Sequence, residues 1–84
     1  MMLKILYFAS LRETLGCGAE SFDLPGNVGN VGDLLNVLTV RGGEWAKLGS
    51  VKNLRYAINQ EMAQRDSPLK AGDEVAFFPP VTGG

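Results

Sequence analysis

"GDEVAFFPPVTGG", Gly72 to Gly84, is the stretch on which the reading of the chain turns. Val75 to Pro79 has the apolar, aromatic character of a strand, and the residues before it, "SPLKAGDEV", are rich in turn formers. A strand alternates its side chains between two faces. Glu74 belongs in water, so Ala76 and Phe78 are expected on the outward face and Val75 and Phe77 in the core. Near the other end of the sequence, "LKILYFA" (Leu3 to Ala9) has the same design. Lys4 points outward there, carrying Leu6 and Phe8 with it, while Leu3, Ile5 and Tyr7 face inward. Two such apolar strands suit the centre of a mixed sheet, lying parallel to each other.

The segments between them complete an order β-β-α-β-(β)-β. "SLRETLG" (Ser10 to Gly16) predicts one or two helical turns, with Ser10 and Glu13 at capping-box spacing and Gly16 as the stop. "ESFDL" (Glu20 to Leu24) predicts a strand returning beside the first. "PGNVGNVG" (Pro25 to Gly32) is a glycine-rich connection; no Lys-Ser or Lys-Thr follows it, as a P-loop requires. Asn30 is the expected helix cap, with Asp33 at the third helical position. Leu34, Leu35, Leu38 and the Arg41 stem follow at helical spacing, predicting a main helix to about Gly42-Gly43. "EWAKLG" adds a short turn, with Trp45 a core or lid residue rather than a stacking platform. "LRYAINQ" (Leu54 to Gln60) predicts a third strand, reversing tightly into a short one around Met62. One helix covering one face of such a sheet is an α+β fold, the β-grasp or ubiquitin-like architecture, here over residues 1–84 as a single domain.

Composition narrows the function. With 84 residues the chain holds one domain; 45% of residues are hydrophobic and 20% charged, as in compact proteins. A net charge of −1 argues against a nucleic-acid partner. The longest apolar runs are too short for a bilayer, no signal peptide is evident, and a cytoplasmic protein without a membrane partner is expected. There is no histidine and one cysteine, so neither a catalytic triad, a Cys–His dyad nor an ordinary zinc site is expected. Cys17, in "GCG", reads as an incidental loop thiol. Function is expected in a surface, a partner or the C-terminal segment.

Both readings converge on the tail. If the first and last strands are parallel neighbours, Phe8 and Phe78 form an apolar patch where the tail leaves, extended by Met62. Pro79-Pro80 favours an extended exit at residues 79–84. Val81 and Thr82 suit a partner's groove, and Gly83 and Gly84 suit a channel too narrow for a side chain. The reactive group is the Gly84 α-carboxylate, with an ordinary pKa of about 3.5. It is a poor electrophile until its oxygen attacks the α-phosphate of ATP; the acyl-adenylate then loses AMP to a sulfur or nitrogen nucleophile. A bare Gly-Gly is equally a flexible end; the diproline and the patch turn the reading toward function.

These stretches, with "LYFASLRE" (Leu6 to Glu13), "VGDLLNVL" and "AINQ" (Ala57 to Gln60), resemble the small, sulfur-carrying subunits of molybdopterin synthase, within the ubiquitin-like sulfur carriers. The resemblance implies a β-grasp fold and a heterotetramer of two small and two large subunits. It implies an E1-like adenylating enzyme that uses ATP on Gly84, and a sulfurtransferase or cysteine desulfurase system that makes the thiocarboxylate. The sulfur then goes to cyclic pyranopterin monophosphate in the large subunit, whose lysines and pocket carry the catalysis, while the small subunit binds no cofactor itself. On this chain Gly84 is the adenylated and thiolated residue and Gly83 its small neighbour, while Phe8, Met62 and Phe78 match large-subunit contacts. The Asn/Gly-rich loop before the helix departs from the usual pattern. Carriers for thiamine, tungsten-cofactor or thionucleoside pathways, a protein modifier, and an interaction module with an inert tail are the competing readings.

Overall fold

The computed structural model describes residues 1–26, 29–51 and 53–79. In chain order the elements are β1 (Met2–Tyr7), α1 (Ser10–Leu15), β2 (Ala19–Asp23), α2 (Val31–Thr39), a 3-10 helix (Gly43–Ser50), β3 (Arg55–Ile58), β4 (Glu61–Ala63) and β5 (Glu74–Phe78). They build a five-stranded sheet in the order β2-β1-β5-β3-β4. β1 and β5 pair in parallel, Lys4 against Glu74 through Tyr7 against Phe77; the other pairs are antiparallel. This is the expected β-grasp, with β5 in the middle of the sheet.

Residue parity is realised as the sequence implies. Leu3, Ile5 and Tyr7 of β1, with Val75 and Phe77 of β5, are buried. They meet Val31, Leu34, Leu35 and Leu38, which recur at helical spacing along one stripe of α2. The core is held at its centre by aromatic contacts: Phe77 lies edge-on to Tyr56 at 5.8 Å and stacks on Tyr7 at 6.1 Å.

The cap of α2 is as expected, and more complete. Asn30 Oδ1 accepts from the Asp33 amide at 2.8 Å, and Asp33 Oδ2 accepts from the Gly29 amide at 3.1 Å. One orphan amide of the first turn is thereby satisfied, and the amide just before the cap as well. The cap predicted for α1 is different. Amides of Leu11 and Arg12 already donate to Phe8 and Ala9 carbonyls, so the turn begins before Ser10 and places that residue inside the helix. The cap position falls on Ala9, with φ 54° and no side-chain bond, and the Ser10–Glu13 box does not form. Gly16, at φ 67°, ends the helix in the left-handed conformation as predicted.

Helix α2 stops at Thr39, short of the predicted Gly42-Gly43. The Arg41 and Gly42 amides donate three residues back, to Leu38 and Thr39, which tightens the last turn. Gly42 and Gly43, at φ 78° and 58°, then redirect the chain into the 3-10 helix. Arg41 therefore does not continue the apolar stripe. Its guanidinium makes two bonds to Glu20 on β2, at 2.8 and 2.9 Å, and lies 4.4 Å from the Trp45 ring centre and 5.1 Å from that of Phe22. Tyr7 donates its hydroxyl to the same carboxylate at 2.8 Å and meets Trp45 edge-on at 5.3 Å. Trp45 is thus part of the lid over the core, as expected.

A second polar cluster starts β5. Asp73, 2% exposed, accepts from the Lys70 amide and from Asn59 Nδ2, both at 2.9 Å. Asn59 Oδ1 in turn accepts from the Glu74 amide at 3.0 Å. Asn59 and Gln60 both have positive φ, forming the two-residue turn between β3 and β4.

Both clusters hold carboxylates below their ordinary range. For Glu20 the leading cause is the Arg41 hydrogen bonds, which with the Tyr7 bond outweigh burial. For Asp73, burial pushes upward, but the Lys70 amide, Asn59 and the Lys70 ammonium outweigh it. A depressed folded-state pKa gives stability that is present above the unfolded value, about 4 for these groups, and is lost as pH falls through the folded one. Urea unfolding should therefore show a stability that falls from about pH 4.5 downward. A Glu20→Gln, Asp73→Asn double variant should be less stable at neutral pH and should flatten that slope; an unchanged slope counts against this assignment.

Candidate functional site

The sheet's inner face is filled by the helices; its outer face carries the candidate site. Register aligns Leu6 of β1 with Ala19 of β2 on one side and Ala76 of β5 on the other. Ala76 aligns in turn with Ala57 of β3, and Ala57 with Met62 of β4. Cα partners share a face, so an apolar row crosses all five strands. Two residues back along β1 and β5 the same face carries the Lys4–Glu74 pair.

Two residues forward lie Phe8 and Phe78. The Phe8 amide donates to the Phe77 carbonyl at 3.1 Å, extending the parallel ladder just past β1. Phe8 is 47% exposed and Met62 62%, so two of the three expected contact residues stand open to solvent. Phe78, at the end of β5 and opposite Arg55, is half-buried. Ala76 faces outward by parity yet is only 9% exposed, because a methyl group sinks between Leu6 and Ala57. The face is therefore shallow at its middle and raised at Phe8 and Met62. The exposed apolar groups Phe8 and Met62 thus stand on one face of the sheet, Met62 in the central row and Phe8 one step further toward the tail.

Pro79 follows directly and is half-buried. The remaining tail residues of the sequence reading, Pro80, Val81, Thr82, Gly83 and Gly84, lie outside the described residues. What the structure fixes is the root of that tail. Lys4 donates its amide to the Asp73 carbonyl at 3.0 Å and Gly72 donates to Met2 at 2.8 Å, so the entry of β5 is sewn to β1. Asn59 and Asp73 were not singled out from the sequence as functional. They act through the backbone, setting where β5 starts and hence where it ends. The signal for them was present in the "AINQ" and "GDEV" turns, where Asn and Asp bond neighbouring backbone readily.

Other candidates fall away from this surface. The Cys17 thiol donates to the Ala19 carbonyl at 3.3 Å, in the loop between α1 and β2. No group of three or more acidic, cysteine or histidine residues suited to a metal is present among the described residues. No helix among them is long and apolar enough to cross a membrane.

Comparison with known proteins bears on family and fold. The chain is 40% identical over 83 residues to the molybdopterin synthase sulfur carrier subunit of Escherichia coli, covering 99% of this chain and 100% of that protein. It is 40% identical over 87 residues to the sulfur carrier subunit of Chlamydomonas reinhardtii, covering all of both. Its backbone is similar to the crystal structure of SAMP1 from Haloferax volcanii, with a TM-score of 0.80 and 30% identity over the whole of both chains. The ThiS family profile matches residues 5–84, through the apolar face and the tail alike. With its β-grasp sheet and a full-length match of this kind, the chain belongs to the ThiS family.

Proposed function

We propose that this protein is the sulfur-carrier subunit of a molybdopterin synthase, acting in molybdenum cofactor biosynthesis. The observation that carries the reading is the placement of the tail root. β5 lies at the centre of the sheet and delivers Phe78 and Pro79 beside the exposed Phe8, on the face that carries Met62. Full-length similarity to sulfur carrier subunits supports it.

In this reading the chain is a non-catalytic subunit and a consumed co-substrate. A Gly84 carboxylate oxygen attacks the α-phosphate of ATP within an activating enzyme, and pyrophosphate leaves. The terminal sulfur of a sulfurtransferase persulfide adds to the acyl carbon and AMP leaves. A second thiol then cleaves the resulting acyl disulfide, releasing the thiocarboxylate and leaving a disulfide on the donor side. The outer face then docks on the large subunit and Gly83-Gly84 enters its active site. There the thiocarboxylate yields its sulfur to cyclic pyranopterin monophosphate, and water restores the carboxylate. The lack of histidine suits this division of labour, since proton transfer and substrate binding fall to the large subunit.

A second reading, protein modification through an amide to lysine, draws on the likeness to SAMP1 and on 35% identity to small archaeal modifier protein 1 of Haloferax volcanii. The same adenylate serves both. Intact-mass measurement of the protein from cells separates them: exchange of one oxygen for sulfur at the C-terminus is expected, whereas covalent ladders on other proteins support the modifier. Deletion of Gly84 should abolish sulfur transfer and leave the unfolding midpoint unchanged; retained synthase activity would falsify the role of that residue.

Adjacent aromatic residues should separate interface from core. Phe78→Ala should weaken large-subunit binding about tenfold or more while costing the isolated chain little stability. Phe77→Ala, which empties a fully buried site, should cost about 3–5 kcal/mol of stability. Equal stability losses, or an unchanged Kd for the Phe78 variant, run against the assignment of faces.

A further inference from the structure

At the tail end of the outer face, the apolar surface meets the guanidinium of Arg55. Arg55 opens β3 directly opposite Phe78 and is exposed. Its neighbour Tyr56 turns inward against Phe77, so alternation places Arg55 on the same outer face as Ala57. With Met62, Gln64 and Arg65 it lines an open groove along β3 and β4. Arg41 is clamped by Glu20, but Arg55 makes no ion pair among the described residues. Lys4 and Glu74 sit at the far end of the face, at the start of β1 and β5.

An exposed guanidinium is ordinarily hydrated and unremarkable in energy. This one stands beside Phe78 and near Met62, the side chains that are covered when the face docks on the large subunit as proposed above. Covering them strips water from Arg55 as well. A desolvated guanidinium is strongly unfavourable unless it is paired, and its planar fork of donors matches a carboxylate bidentately. Apolar contact alone also leaves a shallow face free to slide or rotate, whereas one directional charge pair at its edge fixes register.

We propose that Arg55 is a specificity-determining residue of this interface, receiving a carboxylate of the large subunit beside Phe78 and so orienting the root of the tail toward the partner's active site. The inference rests on the interface reading under Proposed function.

The test is binding of the full-length chain to the large subunit of the same organism, titrated at low and at high salt. Arg55→Leu preserves bulk and removes charge; it should weaken binding about tenfold and reduce the salt dependence, because the partner's carboxylate is left unpaired. Arg55→Glu should weaken it further, by about a hundredfold, through like-charge repulsion. Unfolding midpoints close to that of the parent chain tie these losses to the interface. Wild-type affinity in the Arg55→Leu variant, or a gain, overturns the proposal. Phe78→Ala measured alongside separates the two levels: if it weakens binding while both Arg55 variants bind normally, only the Arg55 proposal fails. If Phe78→Ala binds normally too, the interface reading fails with it.

Discussion

The parallel pairing of β1 with β5 is the constraint on which the rest of this structure depends. It joins the two ends of the chain, and nothing local in either strand enforces it. Long-range pairing of this kind must recover the loop-closure entropy of everything between. It does so through burial of Ile5, Tyr7, Val75 and Phe77 under α2, and through a polar lock at the point where β5 begins. Asp73 is that lock. Its side chain gathers the Lys70 amide and Asn59, while its carbonyl accepts from Lys4. A buried carboxylate is tolerable only when satisfied in this way, and satisfying it pins three segments together.

The same logic governs the opposite edge. Glu20 is shared by Tyr7 and Arg41, and Arg41 lies against the rings of Trp45 and Phe22. This cluster ties β2 to the segment following α2. Burial, followed by the bond to Glu20, raises the Tyr7 hydroxyl pKa far above its ordinary value, so it remains a neutral donor. The polar groups of this cluster thus hold the fold together at that edge.

The tail and the outer face work as one device in the proposed function. β5, from which the tail continues, occupies the centre of the sheet, paired on both sides. The row from Ala19 through Leu6, Ala76 and Ala57 to Met62 is low in the middle, so a partner can approach the sheet closely. In the function proposed above, the reactive group stays on the tail and recognition stays on the sheet.

Much of this was legible in residue order alone. Strand parity in "LKILYFA" and "VAFF", anchored by Lys4 and Glu74, assigned core and outward side chains correctly, because a period of two leaves no freedom once one residue is known to face water. The Asn30 cap and the Gly16 stop were equally local and equally readable. The Ser10 cap, the end of α2 and the roles of Arg41, Asn59 and Asp73 were not. The two helix ends shifted through local three-residue bonds, from Leu11 and Arg12 to Phe8 and Ala9 and from Arg41 and Gly42 to Leu38 and Thr39. The side-chain roles, by contrast, depend on partners distant in sequence: Glu20 lies 21 residues from Arg41, and Asp73 lies 14 from Asn59. The chemistry expected of the tail belongs to the sequence, which places Gly83 and Gly84 after a diproline. The place from which that tail departs was decided only by the tertiary structure, since which strands meet at the centre of a sheet depends on contacts that no short window of residues contains.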